Sequence, residues 1–133
     1  MTAQGSIKQI FGPVVDVAFD GNLPAIYDAV RVPREGEADL VLEVAQHLGD
    51  DMVRCVAMSS TDGLRRGVPA IPTGAPITVP VGDVTTGRVF NLLGEALDAK
   101  IKGDIKADKR WPIHRPAPKF DEQEAVSEVF ETG

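Results

Sequence analysis

Residues 63–82 have the sequence GLRRGVPAIPTGAPITVPVG, and this stretch decides the fold class of the chain. It contains prolines at positions 69, 72, 76 and 80. Proline removes a backbone hydrogen-bond donor and clashes with the preceding helical turn, so prolines at this spacing exclude a helix. We therefore predict extended segments here, which require further strands in the chain to pair with.

The first such strand lies near the N-terminus. In VVDVAF, residues 14–19, the side chains of Val15, Val17 and Phe19 fall on one face and Asp16 falls on the other. This alternation is typical of a strand with one face in an apolar core. The DGNLP segment that follows has the composition of a turn.

Three further runs continue the pattern. AIYDAVRV at 25–32 is rich in β-branched and aromatic residues and is followed by PREGEAD, a polar hairpin tip with Gly36 at its centre. DLVLEVAQHL at 39–48 fits a strand or a helix by periodicity alone, but the LGDD turn and the alternating run MVRCVAM at 52–58 favour a β-hairpin. Short strands with Gly/Pro turns suggest a small sandwich or a closed barrel. Closure removes exposed strand edges, so we predict a barrel.

The pattern changes after residue 82. GRVFNLLGEALD at 87–98 begins as a strand-like run and turns at Gly94, and its apolar side chains are candidates for exposure and self-association. These side chains are Val89, Phe90, Leu92 and Leu93. AKIKGDIKADKRWPIHRPAP at 99–118 is basic and Pro-rich, which predicts an extended arm, and the acidic 120–133 could begin a helix or a short strand. We predict one complete domain, 1–82, and an incomplete second one, 83–133.

Composition restricts the function classes. The formal net charge is −6 and the sequence pI is about 4.8, which argues against binding to a nucleic-acid backbone. Aromatic residues make up only 5% of the chain, so few side chains could stack on bases. The single cysteine, Cys55, excludes an internal disulfide and a Cys-based zinc site, and it is predicted to be buried. Neither a targeting peptide nor a run of about 18 apolar residues is present, which predicts a cytoplasmic chain.

Side chains that could carry chemistry are few. His47 and His114 lie far apart in the sequence and are expected at the surface. Asp50-Asp51 is expected in a solvated turn, where a catalytic acid–base pair would lack enclosure. Arg65-Arg66 is expected in a solvated turn, with an anion site as the alternative. There is no GxxxxGK[ST] or GxGxxG motif. We therefore assign no catalytic, cofactor-binding or metal-binding residue.

Four segments nevertheless resemble one family closely. The run AMSSTDGLRRGVPAIPTGAPITVPVG at 57–82 is similar to the signature region of catalytic β subunits of F-type ATP synthases. So are GSIKQIFGPVVDVAF, GRVFNLLGEALD and RWPIHRPAPKFDEQ with its trailing VFETG. These matches occur in the family's order and spacing and together cover nearly the whole chain. The α subunit and the vacuolar, flagellar-export and Rho-type relatives resemble the SSTDGLRRG region much less.

The resemblance implies a mainly β fold: a six-stranded closed barrel at 1–82, followed by the incomplete start of an α/β P-loop nucleotide-binding domain at 83–133. In the family, the barrels of alternating α and β subunits form a crown on a hexameric ring around a central stalk. The family's GGAGVGKT loop lies downstream of the ETG at 131–133, so Mg-ATP or Mg-ADP is implied only for the full-length protein. The expectation is an assembly module, inactive by itself, belonging to a complex on the cytoplasmic face of the bacterial inner membrane.

Two other functions remain open at this point. A free-standing barrel could bind an oligonucleotide or a small ligand on its face, as OB-type barrels do. A self-sufficient ATPase would need a phosphate site that differs from the known motifs. The net charge and the low aromatic content argue against the first, and the missing phosphate loop argues against the second.

Overall fold

The computed structural model describes residues 4–123 and contains eight strands in that range. In chain order the strands are β1 (Gly5–Phe11), β2 (Val14–Phe19), β3 (Asp28–Val32), β4 (Leu40–Gly49), β5 (Met52–Ala57), β6 (Pro69–Pro76), β7 (Thr78–Val81) and β8 (Lys109–Pro112). Helix α1 (Ala99–Lys102) is a single turn, and two 3-10 turns lie at Asp83–Thr85 and Phe120–Glu122. The chain divides into two compact units, the first ending at Ile77 and the second beginning at Thr78.

The first unit is a closed barrel whose strands follow the order β1-β2-β5-β4-β3-β6, with β6 pairing back onto β1. Every pairing around the barrel is antiparallel. Closure leaves no strand with a free edge, so each barrel strand has a neighbour on both sides. The prediction of a mainly β, six-stranded closed barrel is confirmed.

The core of the barrel contains the inward-facing side chains of all six strands. Val15, Val17 and Phe19 are fully or almost fully buried, as the alternation in β2 predicted. A Cβ atom on Gly5 would lie 2.6 Å from Cε1 of the Phe19 ring, so only glycine lets this ring pack against β1. The remaining buried core residues are Ile7, Val30, Val32, Leu40, Leu42, Val44, Val53, Cys55 and Ala70.

The segment whose periodicity fitted both strand and helix is a strand. β4 pairs with β5 from Leu42↔Ala57 to Gly49↔Met52, and the two strands are joined by Asp50 and Asp51 alone. Both aspartates have positive φ angles, 51° and 59°. Two positive φ angles in a two-residue loop are typical of a type I′ turn, whose twist suits a hairpin. The predicted hairpin is therefore confirmed.

The second unit contains a two-stranded antiparallel sheet of β7 and β8, with Val79 opposite Trp111. The prediction that 99–118 forms an extended arm is therefore wrong for two parts: β8 pairs with β7, and α1 forms a helical turn. Arg110 strengthens the pairing, because its Nε donates to Thr78 Oγ1 at 3.2 Å and its Nη2 to Thr78 O at 3.0 Å. These partners are about thirty residues away in the sequence, so local composition could not indicate them.

A turn at Asn91–Gly94 follows β7 in this unit, and the Gly94 N–H donates to Asn91 O at 3.1 Å. Phe90 and Ala96 form an isolated bridge around it, and Gly94 adopts φ 75°. A Cβ atom on Gly94 would lie 2.7 Å from Cδ of Pro80, so the backbone can approach β7 only at a glycine. Four apolar side chains of this turn region were predicted to be exposed. Val89 and Leu92 are exposed, whereas Phe90 and Leu93 are half-buried.

Residues 124–133 of the acidic C-terminal segment lie outside the described residues. The assignment of 83–133 to a P-loop domain, with its boundary at 82, stays a prediction.

Candidate interaction surface

The two histidines lie at the surface, as predicted. His47 is exposed on β4, with its Nε2 2.7 Å from the carbonyl oxygen of Pro24. His114 is exposed in the second unit, just after β8. Within residues 4–123, no group of three or more His, Cys, Asp or Glu side chains could hold a metal ion.

Asp50 and Asp51 form the exposed tip of the β4–β5 hairpin. Both side chains are open to water, so this pair lacks the enclosure that would give it an acid–base function. The placement agrees with the solvated turn expected from the sequence.

Arg65 and Arg66 lie in the loop between β5 and β6, and the barrel holds this loop at several points. Thr61 Oγ1 donates to Gly12 O at 2.8 Å, and Gly67 N donates to Ile7 O at 2.8 Å. Leu64, within the loop, packs against the barrel core. Both arginine side chains are exposed, and within residues 4–123 neither makes a hydrogen bond or an ion pair. The loop thus presents two guanidinium groups to solvent.

Cys55 is fully buried on β5, as predicted. Burial raises the pKa of its thiol to about 12, and the nearby negative charge of Asp16 adds to the increase. A thiol with this pKa stays protonated at neutral pH and is a poor nucleophile. The side chain is therefore a small apolar core residue.

Asp16 is a buried carboxylate, although the alternation in β2 places it on the face away from the core. It lies on the outer face of β2, as predicted, but its side chain is only 2% exposed. Arg54 on the paired strand covers it: Nε donates to Oδ1 at 2.9 Å and Nη2 donates to Oδ2 at 3.1 Å. The hydrogen bond and the charge of Asp16 raise the pKa of Arg54. Asp16 is opposite Arg54 in the pairing of β2 with β5, and the two residues are 38 positions apart in the sequence, so no local signal could have identified the partner.

Apolar side chains lie beside this ion pair on the outside of the barrel. Val14 and Val56 are opposite each other on β2 and β5, and Phe11 is opposite Val14 on β1. Phe11 is 56% exposed and Val56 is 38% exposed. Three neighbouring strands thus present a continuous apolar row to solvent. Such a row on a monomer is a candidate contact surface for another protein.

Another ion pair stabilises the second unit. Arg88 Nε donates to both carboxylate oxygens of Asp98 at 3.1 Å, and Asp98 Oδ2 accepts the Val89 N–H at 3.3 Å. Arg88 also donates to the carbonyl of Gly103. Burial raises the pKa of Asp98, but the hydrogen bonds from Arg88 and Val89 and the positive charge of Arg88 outweigh it, so the pKa is lowered. This pair connects the segments on either side of the Gly94 turn, and no local sequence pattern predicts it.

Two open clefts lie in the second unit. One, of about 300 Å³, is lined by Val79 to Gly82 together with Thr85, Phe90, Asn91 and Gly94, and none of these side chains titrates near neutral pH. The other, of about 580 Å³, is lined by residues that include Asp83, Asp108, Lys109 and Trp111. The Arg115 guanidinium stacks over the Trp111 ring, 3.7 Å from its centroid. Neither lining holds the glycine-rich backbone and lysine of a phosphate loop.

No helix within residues 4–123 is long and apolar enough to cross a membrane. Among known protein families, residues 7–74 match the model of the beta-barrel domain of the ATP synthase alpha/beta family. The matched segment extends from β1 to within β6 and so corresponds to the closed barrel. It covers slightly more than half of the chain.

Proposed function

We propose a function from one premise: this chain belongs to the ATP synthase alpha/beta family, in which its closed barrel is the N-terminal domain. The proposed function is subunit assembly, in which the barrel contacts the barrels of related subunits. The observation that carries this proposal is the apolar row Phe11, Val14 and Val56 on the outside of the barrel. A surface of this kind suits protein contact better than chemistry.

The finer assignment within the family is to the β subunit. It is supported by residues 57–82, whose SSTDGLRRG segment resembles catalytic β subunits more than α subunits. On this assignment the partners are α subunits in an alternating hexameric ring, together with the central stalk. The complex would act on the cytoplasmic face of the bacterial inner membrane, and the chain would contact neither nucleic acid nor lipid directly.

The parent activity under this proposal is ATP synthesis from ADP and phosphate, driven by a proton gradient through rotary catalysis. Phosphoryl chemistry of this kind depends on positioning Mg-nucleotide with backbone amides and a lysine. No residue in 4–123 is assigned to that step. Under this proposal, the barrel contributes by holding neighbouring subunits together while the nucleotide sites change shape.

Co-purification tests the assembly function. A tagged α subunit from the same cell is co-expressed with this chain, and the complex is analysed by size-exclusion chromatography with light scattering. We expect the chain to elute with the α subunit, and titration with a fluorescent ATP analogue and Mg²⁺ to show no saturable binding to the chain alone. Failure of the chain to elute with the α subunit, while a full-length β control does, would contradict the proposal.

A further inference from the structure

The loop between β5 and β6 ends in a tight turn that is fixed to β1. Residues 65–68 form this turn, with Arg66 and Gly67 as its central residues, and Gly67 adopts φ 83°. A positive φ at the third residue is typical of a type II turn. Gly67 N donates to Ile7 O at 2.8 Å, and Ile7 N donates to Val68 O at 3.1 Å. Two residues bonded to one residue across a strand pair form a β-bulge, here with glycine in its first position, so the turn has a fixed place on the barrel.

The register of this bulge brings a third cation beside the two arginines of the loop. β1 pairs with β6 at Ser6↔Pro69, and the bulge at Ile7 follows. One position further along β1 lies Lys8, and the same antiparallel register places it beside Arg66. Lys8 is the residue at which β1 shifts register against β2, so no β2 residue lies opposite it. Lys8 and Arg66 are therefore neighbours on the outside of the barrel, although they are far apart in the sequence.

We call Lys8, Arg65 and Arg66 the basic corner of the barrel. All three side chains are exposed, and within residues 4–123 none of them makes a hydrogen bond or an ion pair. Asp62, the acidic residue of the same loop, is exposed and forms no ion pair with either arginine. Like charges at neighbouring positions of adjacent strands repel each other and lower stability. The fold therefore carries an electrostatic cost at this corner that no contact among the described residues offsets.

The other arginines of the described chain differ from Arg65 and Arg66 in this respect. Each of them has a partner for its guanidinium group, which is a carboxylate, a threonine or an aromatic ring. These arginines are Arg31, Arg34, Arg54, Arg88, Arg110 and Arg115. Two consecutive guanidinium groups without a partner are thus a specific property of this turn, and they indicate a partner outside the chain.

The chemistry of the basic corner favours an acidic protein segment as that partner. A guanidinium group has a planar fork of donors that fits a carboxylate with two hydrogen bonds. The corner lacks enclosing walls, since neither of the two clefts described above is lined by Lys8, Arg65 or Arg66. An open surface with three separate cations suits several carboxylates along a peptide better than one small anion.

Larger polyanions fit this corner less well. Binding to a nucleic-acid backbone requires the neutralisation of many phosphates, and this chain has a net charge of −6. Recognition of an anionic lipid surface typically uses clusters of about 4–8 Lys and Arg residues. Three cations on an otherwise acidic chain are fewer than either partner requires, so a short acidic stretch is the best match.

We propose that the basic corner of this barrel, formed by Lys8, Arg65 and Arg66, binds an acidic segment of a partner protein through ion pairs with its carboxylates. This proposal goes beyond the assembly function, because it concerns a different set of side chains from the apolar row of Phe11, Val14 and Val56. It is also tested on the chain alone, so its outcome does not depend on whether the chain associates with an α subunit.

Fluorescence anisotropy with a fluorescein-labelled hexaglutamate peptide tests the proposal. The native chain is titrated into the peptide at low salt and at higher salt, and labelled hexaglutamine is the uncharged probe. The variant that removes the corner is Arg65→Gln/Arg66→Gln. Its matched control is Lys100→Gln/Lys106→Gln, which removes the same charge from two other exposed side chains that make no hydrogen bond or ion pair within residues 4–123.

We expect the native chain to bind hexaglutamate saturably, more weakly at higher salt because exposed ion pairs are screened, and not to bind hexaglutamine. Arg65→Gln/Arg66→Gln should weaken binding about tenfold, and the lysine control should change it by less than about twofold. If the native chain does not bind hexaglutamate, or if the two double variants bind it equally, the proposal is wrong.

Lys8→Glu separates binding from folding. A glutamate beside Arg66 replaces a repulsive pair by an attractive one, so the thermal midpoint should rise by roughly 1–4 °C while hexaglutamate binding falls. Loss of binding together with a higher midpoint excludes unfolding as its cause. A lower midpoint would contradict the placement of Lys8 beside Arg66 and overturn the three-cation site. If an oligothymidylate bound more tightly than hexaglutamate and was lost with the same arginine variant, nucleic acid would replace the acidic segment as the partner.

Discussion

The guanidinium of Arg54 covers the carboxylate of Asp16 on the outside of the barrel, with two hydrogen bonds of 2.9 and 3.1 Å joining adjacent strands. Asp16 is almost fully buried by this contact, whereas Arg54 keeps part of its side chain in water. A buried carboxylate is tolerated when it is paired and is costly when its partner is removed. The pair therefore connects β2 to β5 and also shapes the surface that we assign to subunit contact.

Removing only the cation should be more harmful than removing both charges. For Arg54→Leu we expect the thermal midpoint to fall by roughly 5–10 °C, because the carboxylate of Asp16 remains buried without a partner. The double variant Asp16→Asn/Arg54→Leu should recover most of that loss. Circular dichroism melts of the two variants and the native chain measure the difference, and equal midpoints for both variants would contradict this account.

Cys55 should be almost inert towards thiol reagents in the folded chain. With its pKa raised from 9.0 to about 12, the thiolate fraction at pH 8 is about a thousandfold below that of a free cysteine. We expect slow reaction with a disulfide reagent under native conditions and fast reaction in denaturant. The control is Val56→Cys, in which an exposed thiol on the same strand should react rapidly without denaturant.

The same pKa shift predicts a dependence of stability on alkaline pH. A group whose folded pKa lies above its unfolded value stabilises the fold fully below the unfolded value, and this contribution is lost as the pH rises through the folded value. For Cys55 the loss falls between about pH 9 and pH 12. Urea denaturation at pH 8 and pH 11 should show a larger decrease for the native chain than for Cys55→Ala. Equal decreases would assign the effect to other groups.

Gly5 should not tolerate a side chain. A Cβ atom there would lie 2.6 Å from the Phe19 ring and 2.8 Å from Cγ1 of Val17, and both atoms belong to the packed core. We expect Gly5→Ala to lower the free energy of unfolding by about 1–3 kcal/mol. Adding Phe19→Leu should make the effect of Gly5→Ala smaller, since the ring is then absent. A double-mutant cycle in urea measures the coupling, and additive effects would exclude this contact as the cause.

The β4–β5 turn should be improved by glycine at its second position. Asp51 has φ 59°, a left-handed conformation that strains most side chains and costs glycine little. We expect Asp51→Gly to raise the free energy of unfolding by up to about 1 kcal/mol, because the left-handed strain that it relieves, about 1–2 kcal/mol, exceeds the entropy cost of a new glycine, about 0.4–1 kcal/mol. Asp51→Val, with a β-branched side chain at the same φ, should lower it. If both substitutions lowered stability, the aspartate side chain itself would be stabilising the turn.

Several features could be predicted from local sequence because they depend on neighbouring residues. The prolines at 69, 72, 76 and 80 exclude a helix wherever the chain lies in space, and the alternation in β2 identifies the buried face. Other features could not be predicted. The pairing of β7 with β8 and the contact between Arg88 and Asp98 join segments that only the fold brings together.

The sequence by itself determined that this chain is rich in short strands, since periodicity, prolines and turn residues act within a few positions of one another, and its resemblance to one family indicated a barrel of the ATP synthase type. Only the tertiary structure decided that Asp16 is buried under Arg54, and that Lys8 lies beside Arg66. The physical reason is that burial and direction depend on which strands become neighbours when the barrel closes, and closure joins residues that are far apart in the chain.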